Sequence, residues 1–137
     1  MNEFLGTLGN EKSDTQSFWN RILRDCLSID DTEKYIEFEK RVLLGHISFI
    51  DAYIPSTGIV IEQKSRGVDL DAPALQSDGS SLTPFGQARR YYDRLPFSEK
   101  GQFIITCNFD EIKIYDMDKK KTGSRSEHPQ GQRHYAG

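Results

Sequence analysis

With 137 residues, 36% of them apolar and 28% charged, the chain has the size of one domain that buries a core without staples. No apolar stretch approaches a membrane span, the opening MNEFLGTLGNEKSD has no signal-peptide core, and Cys26 and Cys107 share no CxxC spacing. A membrane protein is thereby excluded, and a cytoplasmic location with structural, buried thiols is expected. The formal net charge of −3 is unusual for a nucleic-acid binder, so any such contact must be argued locally, with Arg89, Arg90 and Arg94 better placed for phosphates than the average surface suggests.

Residues 1–13 are polar and read as a flexible N-terminus. Periodicity then begins: Phe18, Ile22 and Cys26, with Trp19, Leu23 and Leu27, recur at three and four residues after Ser13-Asp14, which predicts an amphipathic helix over 15–27. Asp30 or Asp31 caps a second expected helix running to about Lys40, with Tyr35, Phe38 and Ile36 inward and Glu39 emerging near its end; Glu37 is the competing carboxylate. Residues 41–54 read as a long or bent strand interrupted at Gly45. His46, beside that glycine, has no partner at ligand spacing and reads as a partly buried polar residue.

The informative stretch is IDAYIPSTGIVIEQK, residues 50–64. Its two apolar runs, 47–54 and 58–64, flank a Pro-Ser-Thr-Gly turn and read as one hairpin. Alternation puts Glu62 and Lys64 on one face and leaves the backbone carbonyl of Gln63 level with them. A Glu-x-Lys on a strand is usually a solvated pair. Here Ile59, Val60 and Ile61 form the unbroken apolar run of a strand covered on both faces, where idle charges are costly. The turn returns Asp51 beside Glu62, and two carboxylates with a carbonyl are the hard oxygen donors that Mg²⁺ accepts, with an ammonium beside them to hold or activate water.

After Lys64 the segment SRGVDLDAPALQSDGSSLTP is loop chemistry; Ser65 and Arg66 extend the strand and are candidates for contact with a phosphate, solvation being the plain alternative. From Thr83 a helix is expected, with Pro84 in its first turn and Phe85, Ala88, Tyr91, Tyr92 and Leu95 on an apolar stripe. Gln87 and Tyr91, four apart, share a face where an amide and a phenol can order water or phosphate. Arg89 and Arg90 on the same helix are further phosphate-contact candidates. Strands over 102–109 and 111–117 complete a mixed sheet. Five of the 18 basic and two of the 21 acidic residues fall in 118–137, leaving thirteen and nineteen before it. That basic tail has almost no apolar side chains and reads as disordered.

Asp51, ten residues, then Glu62-Gln63-Lys64 has the form of the PD-(D/E)xK nuclease core. Together with EFEKRV, SRGVDLD, TPFGQARRYYDRLP and QFIITCNFDEIKIYD, it resembles the N-terminal nuclease domain of MmeI-like (type IIG/IIL) restriction-modification enzymes, over roughly residues 18–117. These enzymes fuse DNA cleavage and methylation in one long chain. The resemblance implies an α/β fold with a restriction-endonuclease-like core, a mixed central β-sheet flanked by α-helices, spanning 14–117. It implies metal ligation by Asp51, Glu62 and the Gln63 carbonyl, catalysis by Lys64, support from Glu39, and a Gln-x-x-x-Tyr element at Gln87 and Tyr91 as in the RecB-like branch. The implied cofactor is Mg²⁺, with Mn²⁺ as a substitute. The implied partners are double-stranded DNA and a DNA methyltransferase or specificity subunit or domain. The sequence departs from the long form, with no glycine-rich cofactor fingerprint and no Asn-Pro-Pro aromatic motif, so a truncated piece and a separate methylating partner both remain open. Two functions are expected: a Mg²⁺-dependent DNA endonuclease domain, or a catalytically silent nuclease-like module that binds DNA or a methyltransferase.

Overall fold

The computed structural model describes residues 11–118 and 132–136. Helix α1 spans Glu11–Leu27 and a short α2 spans Thr32–Tyr35. Strands β1 (Glu37–Leu43), β2 (Ile47–Ile54) and β3 (Ile59–Gln63) follow, then the small hairpin β4 (Ala74–Leu75) and β5 (Ser81–Leu82). Helix α3 (Pro84–Arg94) leads to β6 (Phe103–Cys107), β7 (Glu111–Asp116) and β8 (Gln132–Ala136). The main sheet has six strands in the order β1-β2-β3-β6-β7-β8. Among the described strands only β3 and β6 run parallel, because the segment between them must cross over a face of the sheet and brings α3 with it.

Each face buries its own cluster. On the α3 side, Tyr53, Val60, Ile104 and Tyr115 stand in register across four strands and pack with Ala88, Tyr92 and Leu95. On the other side, Ala52, Ile61 and Cys107 pack with Trp19, Leu23 and Ile36. Helix α3 starts where the sequence says it should: Thr83 caps it, its hydroxyl accepting from the Gly86 N–H (3.0 Å), and Pro84 opens the first turn.

The expected helix through Lys40 is a strand beyond Ile36. Ile36 and Phe38 stand two apart on one face, and pairing with β2 wins over the three-residue spacing of Tyr35 and Phe38. Glu39 interrupts that strand with a left-handed φ of 59°. On either side of it the facing changes: Phe38 packs on the α1 side and Val42 on the α3 side, and across the ladder Ala52 and Ile50 divide the same way. Gly45 (φ 93°) lies in the β1–β2 turn rather than within a strand.

Three further expectations are corrected. Helix α1 begins at Glu11, before the expected cap at Ser13-Asp14; residues 1–10 lie outside the described residues. Cys26 is exposed, because Ser28 (φ 58°) turns the chain away just past the last helical turn and the Ile29 N–H returns to the Leu23 carbonyl (2.9 Å). Cys107 is buried, and burial pushes its thiol up. Within the tail, Gln132–Ala136 is a strand paired antiparallel to β7, from Glu111↔Ala136 to Tyr115↔Gln132; residues 119–131 and 137 lie outside the described residues. An edge strand presents unpaired N–H and C=O groups, and backbone pairing to them needs no apolar side chain.

The turn that closes β2 and β3 depends on two glycines in contact. Gly101 donates its N–H to the Gly58 carbonyl (3.0 Å), and a Cβ on Gly101 would lie 2.0 Å from the Thr57 carbonyl oxygen. Neither backbone can retreat without opening the hairpin. Gly101→Ala should therefore lower unfolding free energy by roughly 1–3 kcal/mol, as overpacking does; an unchanged thermal midpoint would show that the two turns do not depend on each other.

Candidate active site

One level beyond the apolar row on the α3 face, the sheet changes chemistry. Glu62 pairs with Thr106 and Thr106 with Lys113, and continuing the β2–β3 register sets Asp51 opposite Glu62. An open cleft of about 400 Å³ lies here, lined by Asp51, Glu62, Gln63, Lys64, Gln87 and Tyr91, with Glu39 and Ser65 at its margin. Glu62 is only 4% exposed. Its Oε2 is 3.3 Å from the Lys64 ammonium, which also donates to Gln87 Oε1 at 2.8 Å. The amide of α3 thus holds the lysine of the strand over the buried carboxylate.

Asp51 has a different partner: its Oδ2 accepts from the backbone N–H of Gln63 at 2.8 Å. A strand residue projects its N–H and C=O to the same side, so the Gln63 carbonyl is turned toward the side on which Asp51 stands. The Gln63 side chain is tied on the opposite face, where its Oε1 accepts from Trp19 Nε1 (2.8 Å, buried). Tyr91 overlooks both acids. Burial, then the charges of Glu62 and Asp51, push its phenol above the usual value of 10.0, with a hydrogen bond to Gln87 opposing them.

The remaining sequence candidates separate. Glu39 reaches the cleft but engages Lys12 of α1 (3.3 Å). Glu37 is exposed on β1 and His46 is exposed in the β1–β2 turn, neither lining the cleft. Ser65 and Val68 form part of the wall. Arg66, Arg89 and Arg90 do not; they bridge to Asp110 (3.3 Å), Asp93 (3.1 Å) and Asp78 (3.2 Å). Sequence reading missed the α1 side of the cleft, Lys12, Thr15 and Gln16, because these polar residues flank the apolar stripe and look solvated. It also missed Lys113, whose place in EIKIYD suggests an outward residue between two isoleucines.

Among the described residues, no group of three or more His, Cys, Asp or Glu side chains gathers to hold a metal ion. The donor set is smaller: the Asp51 and Glu62 carboxylates with the Gln63 carbonyl, all hard oxygens of residues that line the cleft. That set fits a small hard cation that keeps several waters, and it does not fit a closed thiolate or imidazole site.

A six-stranded mixed sheet with helices on both faces, carrying its charged cleft at the β2–β3 hairpin, defines an α/β domain with a restriction-endonuclease-like core. The chain belongs to the family described as MmeI, N-terminal domain, whose model matches residues 2–129. That family places it in a restriction-modification context. No curated protein and no solved structure matches the chain. No helix among the described residues is long and apolar enough to cross a membrane.

Two outcomes test this geometry. Asp51→Ala leaves the Gln63 N–H without its acceptor and should cost about 1–3 kcal/mol, whereas Asp51→Asn keeps an oxygen there and should cost less than about 1 kcal/mol; equal midpoints for the two variants would deny the bond a structural role. Tyr91 supplies a pH test. The folded protein keeps the Tyr91 proton above pH 10.0, where the unfolded chain releases it, so stability is full below that pH and falls as pH rises past it. Tyr91→Phe should make the alkaline fall of the unfolding midpoint shallower. Tyr53, also raised chiefly by burial, leaves a residual slope.

Proposed function

We propose that this chain is a Mg²⁺-dependent DNA endonuclease domain that hydrolyses a phosphodiester bond as part of a restriction-modification system. The observation that carries the reading is the Lys64 ammonium, held between Glu62 and Gln87 in an open cleft that Asp51 also faces. Asp51, Glu62 and the Gln63 carbonyl would hold the cation. When bound, Mg²⁺, with Mn²⁺ as a substitute, supplies charge neutralisation at the phosphate and acidifies water. Lys64 orients the attacking water or stabilises the charge that develops on the phosphate, and it does so without reorganising, because two acceptors already fix it. Gln87 positions Lys64. Tyr91 keeps its proton and can donate to water or to a phosphate oxygen.

Double-stranded DNA is the proposed substrate, with a DNA methyltransferase or specificity subunit or domain as the proposed partner, in the cytoplasm. Ser65, two residues past β3, would meet the scissile strand. Arg66, Arg89 and Arg90 would reach phosphates only by exchanging their present carboxylate partners. A second reading, a silent module that docks a methyltransferase, is favoured by the apolar tip of the β1–β2 hairpin, where Leu43, Ile47 and Phe49 are exposed.

Nicking of supercoiled plasmid with Mg²⁺, against the same reaction with chelator, separates the two readings. Lys64→Ala, assayed well below its own unfolding midpoint, should reduce cleavage on the order of a hundredfold or more while leaving DNA affinity nearly intact. Undiminished nicking by that variant would remove Lys64 from the chemistry, and no nicking by the wild type would favour the docking module.

A further inference from the structure

The segment that leaves β3 after Lys64 is held down by side chains that the cleft itself does not use. Asn108, at the β6–β7 turn, donates from Nδ2 to the Val68 carbonyl at 2.8 Å. Leu70 is 1% exposed. Lys113 of β7, also 1% exposed, ends in an ion pair with Asp71. Residues 65–72 therefore lie across the sheet over β6 and β7 on the side of the cleft, and they supply Ser65 and Val68 to its wall.

A lysine buried to this degree is an expensive anchor. Taking an ammonium out of water is unfavourable unless it is paired, and an apolar residue of similar volume commonly serves stability as well or better. The pair, whose carboxylate is 61% exposed at the side chain, is thus a weak source of stability. What the pair does provide is placement: an apolar contact tolerates sliding, whereas an ammonium under a single carboxylate fixes Asp71, and with it the chain back toward Lys64. Asn108 acts in the same sense at Val68, and its Oδ1 is occupied separately by the N–H groups of Asp110 (3.0 Å) and Glu111 (2.8 Å).

We propose that Lys113 and Asn108 are positioning residues that clamp residues 65–72 as a wall of the cleft, so that the DNA strand is received at a fixed distance from Asp51 and Glu62. The role in DNA binding rests on the nuclease reading; the clamp itself does not.

Full-length wild type, Lys113→Met and Asn108→Asp are compared. Methionine keeps the buried volume without the charge, and aspartate keeps the turn's acceptor oxygen without the donor to Val68. In hydrogen exchange, the amides of residues 68–72, two of which close local turns onto Ser65 and Asp69, should open about tenfold faster or more in each variant, with β3 and α3 unchanged. In plasmid nicking with Mg²⁺, KM should rise about fivefold while kcat stays within about twofold, the pattern of lost binding rather than lost chemistry. Unchanged exchange in both variants overturns the clamp. Faster exchange with an unchanged KM overturns its role in receiving DNA. A wild type that cuts nothing counts against the nuclease reading, and the exchange data then decide the clamp alone.

Discussion

A carboxylate buried on a strand covered on both faces must be matched by charge, and Glu62 sets that constraint here. Its match is Lys64, two residues on and just past the end of β3, 24% exposed at the side chain. Because a strand alternates, the pair can meet only if the strand runs straight past the end of the apolar row, so the β3–β6 parallel pairing, extended by the Lys64 N–H to the Cys107 carbonyl (2.7 Å), is what keeps the charges facing. Gln87 then holds the lysine from above, which ties the placement of α3 to the electrostatics beneath it. Breaking a buried pair from one side costs on the order of 3 kcal/mol, less where one partner meets solvent as Lys64 does. The site is thus part of the fold's own balance and not an ornament on it.

Much of this was legible in the sequence for a local reason. The β2–β3 hairpin has its turn chemistry between two apolar runs, and α3 has a cap, a proline and a stripe in succession, so local and tertiary preferences agree. Gln87, Tyr91, Lys64, Glu62 and Asp51 could be brought together from those two elements alone. β1 was misread because Tyr35 and Phe38 offer a helical spacing that only pairing with β2 overrides. Strand β8 was invisible for a related reason: what selects QRHYA as a strand is the free edge of β7, which no property of those five residues announces.

Lys113 shows the limit most clearly. In a two-layer domain, Lys between two isoleucines on an edge-proximal strand points to water, and the rule is sound. It fails because residues 65–72 cover that face and bring Asp71. Which face a loop of this length crosses is decided by contacts at its far end, and composition carries no trace of them. The same holds for Lys12, Thr15 and Gln16, whose polar character is ordinary until the helix is seen to begin against the cleft.

Trp19 is the chain's one tryptophan, and its indole N–H is spent on the side chain of the residue whose backbone faces Asp51. The two faces of the sheet are joined through that single glutamine. Indole emission depends on hydrogen bonding and burial at the ring, so the native protein carries an optical probe wired to the floor of its cleft. A shift of the Asp51–Gln63 contact would be read by a chromophore hydrogen-bonded to the side chain of that same glutamine.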